Sequence, residues 1–178
     1  MLESLITSKT RIKLLLKFFL NPDTRAYLRG LADELGESTN AIRVELNRLT
    51  EAGLLESKTH GRTIMYQANK KNSLFPDLHS LVRKYLGIDK VEAILSDLGT
   101  VELALITGDY ARGVDSGIID LIIVGNVQRA FLQHLVERAE EVIKRKIRYL
   151  ILDQKEFDKL KDRFNMDEAL VVWKEKSA

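Results

Sequence analysis

The sequence of 178 residues contains no cysteine, two prolines and a single tryptophan. Without cysteine, disulfide bonds and thiolate metal sites are excluded, and a cytoplasmic location is compatible with the composition. No stretch of about 18 consecutive apolar residues occurs, so the sequence predicts no membrane span. Residues 1–4, Met-Leu-Glu-Ser, lack the basic start and cleavable apolar segment of an export signal. Together these absences predict a cytoplasmic protein without membrane contact.

The composition that remains fits a globular chain with an uneven charge distribution. With 45% apolar residues, the chain can bury one sizeable core or two small ones. Residues 1–71 carry twelve Lys or Arg against eight Asp or Glu, whereas residues 72–178 carry sixteen against eighteen. The basic first part is therefore the candidate for a polyanionic partner.

Apolar residues at helical spacing predict three helices before residue 53. The first follows the N-cap candidate Ser8 and ends at Asn21-Pro22-Asp23, since proline disfavours helix at the preceding residue. The second is predicted at residues 26–35, with Gly36 as a left-handed C-cap. The third is predicted from about Ser38 to Ala52. Its predicted inward residues are Ala41, Ile42, Leu46 and Leu49.

A hairpin is predicted next, because two β-prone runs at residues 54–59 and 63–68 flank His60-Gly61-Arg62. The segment that leads into the first run is Leu46-Asn47-Arg48-Leu49-Thr50-Glu51-Ala52-Gly53-Leu54. It resembles the end of the recognition helix in arsenic-repressor-type and multiple-antibiotic-resistance-type regulators. Over about residues 7–70, this resemblance implies a winged helix-turn-helix that binds double-stranded DNA. A winged helix used for protein contact is the alternative.

The geometry of such a helix selects candidate DNA contacts, because its outward N-terminal residues face base edges in the major groove. Asn40 and Asn47 can bond adenine, and Arg43 can bond guanine. Arg48 is predicted to contact a phosphate, while Glu45 on the same helix would repel one. Lys58, His60 and Arg62 on the hairpin would reach the minor groove or the backbone. Ser38 is predicted to cap the helix as well. The complete predicted set is Ser38, Thr39, Asn40, Arg43, Val44, Asn47, Arg48, Lys58, His60 and Arg62.

Residues 72–98 are predicted to form a helical connector, broken at Gly87. Regulators of this kind often pair through a helix after the wing, so the resemblance implies a homodimer formed here. Packing of the same apolar stripe against the chain's own C-terminal half is the alternative. His79 lies on the polar side of the predicted helix and is expected at the surface. The apolar stripe consists of Leu74, Leu78, Leu81, Val82, Tyr85 and Leu86.

Strand and helix patterns alternate after residue 100, which predicts a small α/β unit. Strands are predicted at residues 101–107, 118–124, 147–152 and 169–173, with helices at 127–144 and 154–164. The first strand leads into Thr107-Gly108-Asp109-Tyr110-Ala111-Arg112-Gly113, and the second contains Asp120.

These two segments resemble the nucleotidyltransferase superfamily in its small single-domain form, over roughly residues 99–164. The superfamily has a Gly-Ser turn before Ala-Arg-Gly and a strand with Asp-x-Asp, whose two carboxylates share one face and bind metal ions. Here Asp109 replaces the serine, Ile118 replaces the first aspartate, and Arg148 and Tyr149 occupy the expected places of a further carboxylate. The resemblance therefore implies a fold without its metal site and without a bound cofactor. Gly108, Asp109, Arg112, Gly113 and Asp120 form a candidate nucleotide-binding remnant, in which Arg112 can pair with Asp120 or Asp109.

The sequence thus predicts a mixed α/β protein with three segments: a winged helix-turn-helix at residues 1–71, a connector at 72–98 and a nucleotidyltransferase-like domain at 99–178. The predicted function is a sequence-specific DNA-binding transcriptional regulator and not an enzyme. The C-terminal domain would serve dimerisation or the sensing of a small-molecule or nucleotide effector. An active nucleotidyltransferase and a toxin–antitoxin component remain the alternatives. A regrouping of Asp109, Asp115 and Asp120 around one cation is a further, less favoured reading.

Overall fold

The computed structural model describes residues 2–98, 101–166 and 168–174, and the chain divides into two compact units, residues 1–85 and 86–178. Helices and two sheets, of three and four strands, give the mixed α/β class that the sequence predicts. Within the described ranges, no helix is both long and apolar enough to cross a membrane.

The first unit has the chain order two helices, short strand, two helices, hairpin and helix. Its sheet is antiparallel, with the second hairpin strand in the middle. In order the elements are α1 (Leu2–Leu5), α2 (Lys9–Leu20), β1 (Ala26–Tyr27), α3 (Leu28–Leu35), α4 (Thr39–Glu51), β2 (Leu55–His60), β3 (Thr63–Ala68) and α5 (Phe75–Leu86).

Three predicted helix boundaries in this unit are confirmed by capping contacts. The Ser8 hydroxyl accepts from the backbone N–H of Arg11 at 3.2 Å, and the Ser38 hydroxyl accepts from Ala41 N–H at 3.1 Å. Each bond satisfies one N–H that the first helical turn leaves without a partner. Gly36 ends α3 at a φ of 63°, a backbone conformation that glycine adopts without a steric penalty.

The second predicted helix is wrong at its start. Ala26 and Tyr27 are extended and pair with Tyr66 and Met65 of β3, so α3 begins only at Leu28. Pairing with a strand about forty residues away decides this conformation, and helical periodicity in the local sequence carries no information about that partner. The short strand adds a third member to the hairpin sheet and holds the start of α3 beside it.

The core of the first unit is built from the inner faces of α2, α3 and α4. Phe18, Leu31, Ile42 and Leu46 are completely buried there. Ion pairs join α2 to α3 and to the segment that follows it. Among them, Lys13 Nζ lies 2.6 Å from Glu37 Oε1 and also donates to the Leu35 carbonyl at 2.8 Å.

The predicted connector at residues 72–98 is not a body of its own. Helix α5 belongs to the first unit up to Tyr85, and α6 (Ile88–Leu98) belongs to the second. Gly87 separates the two helices at a φ of 78°, and a Cβ added there would lie 2.8 Å from Ile143. Glycine is therefore required for backbone and for packing reasons at this break. Dimerisation through these helices stays a prediction.

His79 is not the surface residue that the sequence predicts. Its ring is half-buried and stacks on Phe75, with the ring centroids 5.9 Å apart. Its Nδ1 lies 2.5 Å from the carbonyl oxygen of Phe19 and must carry the donated hydrogen, because a carbonyl only accepts. A polar ring that finds a backbone acceptor can pack against aromatic neighbours, which the pattern of the helix alone did not reveal.

The second unit contains a mixed four-stranded sheet. Its strand order is β6-β5-β4-β7, with β5 and β6 parallel and the other neighbours antiparallel. After α6, its elements are β4 (Val101–Thr107), α7 (Gly108–Ala111), β5 (Ile118–Gly125), α8 (Arg129–Ile143), β6 (Lys146–Leu152), α9 (Gln154–Leu160), a 3-10 turn (Lys161–Arg163) and β7 (Leu170–Lys174).

The four strands predicted after residue 100 are confirmed to within one residue at each end. The helix predicted at 154–164 is shorter, because α9 ends at Leu160 and the chain continues as the 3-10 turn. An Asp153–Glu156 capping box begins α9. Phe157 of α9 packs with Leu105, Ile122, Val124 and Leu152, which closes the core on one face of the sheet.

Candidate functional site

Helix α4 carries a polar exposed side. Asn40, Arg43, Val44 and Asn47 are exposed, as are Thr39 and Arg48, whereas Ile42, Leu46 and Leu49 are buried. At 3.6 residues per turn, Asn40 and Asn47 lie at the middle of this exposed arc, with Arg43 on one side and Val44 on the other. Ser38 is exposed at the N-terminus of the helix, where it forms the cap.

A groove of about 700 Å³ lies between α4, the start of α3 and the hairpin. Arg43 and Asn47 line it from α4, and Arg62 lines it from the turn of the hairpin. Three residues selected from the sequence are thus brought to one concave surface. The remaining lining residues are Tyr27, Leu28, Arg29, Thr63, Ile64 and Tyr66. We call this surface the recognition groove.

Sequence reasoning missed Arg29 and Tyr27, which stand at the junction of β1 and α3. A helix predicted from residue 26 gave no reason to place either side chain beside the hairpin. Pairing of Tyr27 with Met65 puts this junction next to β3, and the exposed Arg29 follows two residues later. Lys58 and His60 are exposed on β2 but do not line the groove.

Glu45, which the sequence predicts to repel phosphate, does not face the exposed side of α4. Its side chain is buried, with 5% of the residue exposed. It accepts hydrogen bonds from Ser8 Oγ at 2.8 Å, Arg11 Nε at 2.7 Å and Arg48 Nη1 at 3.2 Å. Burial opposes ionisation, but the bonds from Arg11 and Ser8 outweigh it and hold the pKa of Glu45 below its ordinary value.

This cluster changes the environment of Arg48 as well. The guanidinium predicted to contact phosphate is bonded to Glu45, although 59% of its side chain remains exposed. The ordinary spacing of three residues along a helix brings Glu45 and Arg48 together. Glu45 also joins α4 to the first turn of α2 through its bonds to Ser8 and Arg11.

The glycine turn after β4 is the second candidate site. Gly108 has a φ of 68°, and a Cβ added to it would lie 2.9 Å from Asp120 Oδ2. Thr107 is paired with Asp120 in the β4–β5 register, which explains the close approach. Glycine is thus required at this position for backbone conformation and for space. Gly113 closes the turn and is buried.

Each aspartate around this turn has an arginine partner. Asp120 accepts from Arg148 Nε at 2.7 Å and from Arg148 Nη2 at 2.9 Å, because the parallel β5–β6 register places the two residues side by side. Of the two partners considered for Arg112, the structure selects Asp109, with the charged atoms 2.6 Å apart. Ile118 lies two residues before Asp120 on β5 and is exposed.

Asp115 belongs to a third, partly buried group. It accepts from the hydroxyl of the fully buried Tyr110 and from Arg145, whose Nη2 lies 2.6 Å from Oδ2. Burial opposes ionisation of Asp115, but the Arg145 bond outweighs it and lowers the pKa of the carboxyl. Burial raises the pKa of the Tyr110 hydroxyl, and its hydrogen bond to Asp115 raises that pKa further.

Asp109, Asp115 and Asp120 therefore do not regroup around one cation. Across the described part of the chain, no three His, Cys, Asp or Glu residues stand together as metal ligands would. The carboxylates lie beside arginines instead, and a guanidinium offers donors but no lone pair to a cation.

Comparison with known proteins gives few matches. No family model and no curated protein matches the chain. A chain from the complex of tri-AMPylated Shewanella oneidensis HEPN toxin with MNT antitoxin is similar, at 12% identity over 51% of this chain and 71% of that chain, with a TM-score of 0.37. The crystal structure of a proposed nucleotidyltransferase from Sulfolobus solfataricus is similar at 26% identity, over 55% of this chain and 86% of that chain, with a TM-score of 0.35. Both TM-scores lie below 0.5, so neither similarity carries an argument about function.

Proposed function

We propose that the chain is a sequence-specific DNA-binding transcriptional regulator. Its first unit would be a winged helix-turn-helix that binds duplex DNA through the recognition groove. Its second unit would be a nucleotidyltransferase-like module that does not catalyse transfer and serves dimerisation or the sensing of a nucleotide or small molecule. The observation that carries the proposal is the convergence of Arg43, Asn47 and Arg62 on one groove.

The element order supports the first part of this proposal. Helix α4 follows α3 after a short turn, and the β2–β3 hairpin comes directly after α4, as in a winged helix-turn-helix. β1 joins the hairpin sheet from between α2 and α3. Such a fold also serves protein contact, so the fold alone does not establish DNA binding, and the residues of the recognition groove must support it.

The chemistry of the groove favours nucleic acid over a protein partner. Arg43 and Asn47 are side chains that bond guanine and adenine edges bidentately in a major groove. Arg29 and Arg62 add positive charge on the flanks, where a phosphate backbone would pass. Because Glu45 is buried against Arg11 and Arg48, its carboxylate is not presented to a phosphate from this side of α4.

Fluorescence anisotropy with the full chain and duplex DNA from its own upstream region tests the proposal. We expect specific duplexes to bind more tightly than scrambled ones, and affinity to fall as salt rises because phosphate neutralisation releases counterions. Arg43→Ala should weaken specific binding by about 1–3 kcal/mol. The matched control is Arg129→Ala, an exposed arginine at the start of α8 in the second unit, which should leave binding unchanged.

Binding that is equal for all sequences and indifferent to Arg43 would count against a regulator that reads bases. If a selection from a random duplex library also enriched no sequence, a winged helix for protein contact would become the better explanation.

The alternative function is nucleotidyl transfer, or a toxin–antitoxin component of the same fold. The retained turn at Gly108, held close to Asp120, is the feature of this chain that favours it. Magnesium-dependent transfer of label from ATP, abolished by Asp120→Ala, would establish the enzyme. Co-purification with a small helical protein would support the toxin–antitoxin reading. We place both behind the regulator because Arg148 occupies both oxygens of Asp120 and Ile118 offers no ligand.

A further inference from the structure

Val44 differs from the other exposed residues of α4 because its side chain is apolar. In this fully described helix, Val44 alone is apolar among the exposed residues, and 40% of its surface is accessible. Its neighbours one turn away are Asn40 and Arg48, and Asn47 lies three residues on. The side chain is neither part of the core nor a lining residue of the recognition groove. Packing within the unit therefore does not account for an apolar residue here.

The major groove of DNA contains one kind of apolar group that could cover such a side chain. Base edges present hydrogen-bond donors and acceptors there, and thymine also presents its C5-methyl group. A valine placed against a polar base edge would strip water from donors and acceptors without replacing their hydrogen bonds. Placed against a thymine methyl, it removes apolar surface from water on both partners.

We propose that Val44 is a specificity-determining residue that contacts the C5-methyl group of a thymine in the bound duplex. The inference rests on the proposed DNA binding and adds one named base to it. Arg43 faces the hairpin and Val44 lies across Asn40 and Asn47 from it, so the thymine lies on the side of the α4 contacts away from the wing. The side chain reads a methyl group and makes no hydrogen bond.

Deoxyuridine provides an atomic probe, because it differs from thymidine only by this methyl group. A duplex enriched from a random library by the full chain is resynthesised with each thymine in turn replaced by deoxyuridine, and affinities are measured by anisotropy. At one thymine position or more, we expect replacement to weaken binding about fourfold, which corresponds to about 0.8 kcal/mol for one buried methyl group.

Val44→Ser completes the test, because it removes both methyl groups of the side chain and changes helix propensity little. The variant should bind the thymine and deoxyuridine duplexes equally at that position, while it still prefers the enriched sequence over a scrambled one. Val142→Ser is the matched control, since Val142 is an exposed valine of α8 in the second unit. It should keep the fourfold difference.

The outcomes separate this inference from the proposed function. The methyl contact is overturned if every thymine of the enriched sequence can be replaced by deoxyuridine without loss of affinity. It is also overturned if Val44→Ser still binds the thymine duplex more tightly than the deoxyuridine duplex. DNA recognition itself would stand in both cases. If no sequence is enriched, the proposed regulator falls, and the role of Val44 falls with it. Enrichment, together with a difference that disappears only in Val44→Ser, would support both.

Discussion

Replacing Glu45 with glutamine should destabilise the first unit although the side chain keeps its shape. Glutamine replaces one of the two acceptor oxygens with an N–H donor, so at least one bond to a charged guanidinium loses its acceptor. A bond to a charged group contributes about 1.5–3 kcal/mol, and solvent screening of these partly exposed arginines reduces the loss to roughly 1–2 kcal/mol. The Arg48 arm is 59% exposed and adds less than about 1 kcal/mol. We therefore expect Glu45→Gln to lower the free energy of unfolding by about 1–2 kcal/mol.

The difference between wild type and Glu45→Gln should also depend on pH. The folded pKa of Glu45 lies below the ordinary value of 4.5, so its stabilisation is complete above pH 4.5. As pH falls from there through the folded pKa, the carboxylate becomes protonated and the advantage of glutamate over glutamine disappears. Other acids with lowered pKa values contribute equally to both proteins and cancel in the difference.

Urea denaturation of the full chain, followed by far-ultraviolet circular dichroism, measures this effect. The single tryptophan, Trp173, belongs to β7 of the second unit, so its fluorescence follows that unit alongside. Glu51→Gln is the matched control, because Glu51 is exposed at the end of the same helix. Equal stability of wild type and Glu45→Gln at neutral pH, or a loss that persists unchanged well below pH 4, would refute the reasoning.

Two further predictions concern the second unit. Gly108→Ala should lower the free energy of unfolding by at least about 1–2 kcal/mol, because alanine is strained at a φ of 68° and its Cβ would lie 2.9 Å from Asp120 Oδ2. The control Gly117→Ala has a φ of 79° but open space around the Cβ, so it should lose less stability in the same urea titration. Equal losses in the two variants would contradict the contribution of the contact with Asp120. Tyr110→Phe removes a hydroxyl bonded to Asp115 and should cost about 1.5–3 kcal/mol, measured by Trp173 fluorescence in urea; an unchanged midpoint would show that this bond contributes nothing net.

Local patterns were sufficient for most of the elements of this chain. Serine caps, a left-handed glycine and apolar spacing are short-range signals, and the helices and strands that they predict are found near the expected residues. β1 was missed because its conformation is decided by pairing with β3. The same dependence on a distant partner explains His79, whose ring is held by the carbonyl of Phe19 on another helix.

The candidate sites show the same limit in their electrostatics. Helical periodicity correctly predicted that Asn40, Arg43, Val44 and Asn47 are exposed. Each residue of an α-helix is rotated by the same angle, about 100°, from the one before it. Periodicity could not show that Glu45, between them in sequence, is turned toward Arg11 at the start of α2. That contact depends on how two helices pack, and it pairs with arginine a carboxylate that the sequence alone leaves unpaired.

The Asp120–Arg148 pair shows how the carboxylate on β5 is neutralised by the chain's own residues. Arg148 on the neighbouring strand supplies positive charge and two hydrogen bonds to Asp120 from one side chain. The guanidinium of Arg148 therefore disfavours a cation at Asp120, because it presents positive charge and no lone pair there. A pair of metal ions at Asp120 would require both the removal of Arg148 and a new carboxylate at Ile118 or its neighbours, and no single substitution accomplishes both.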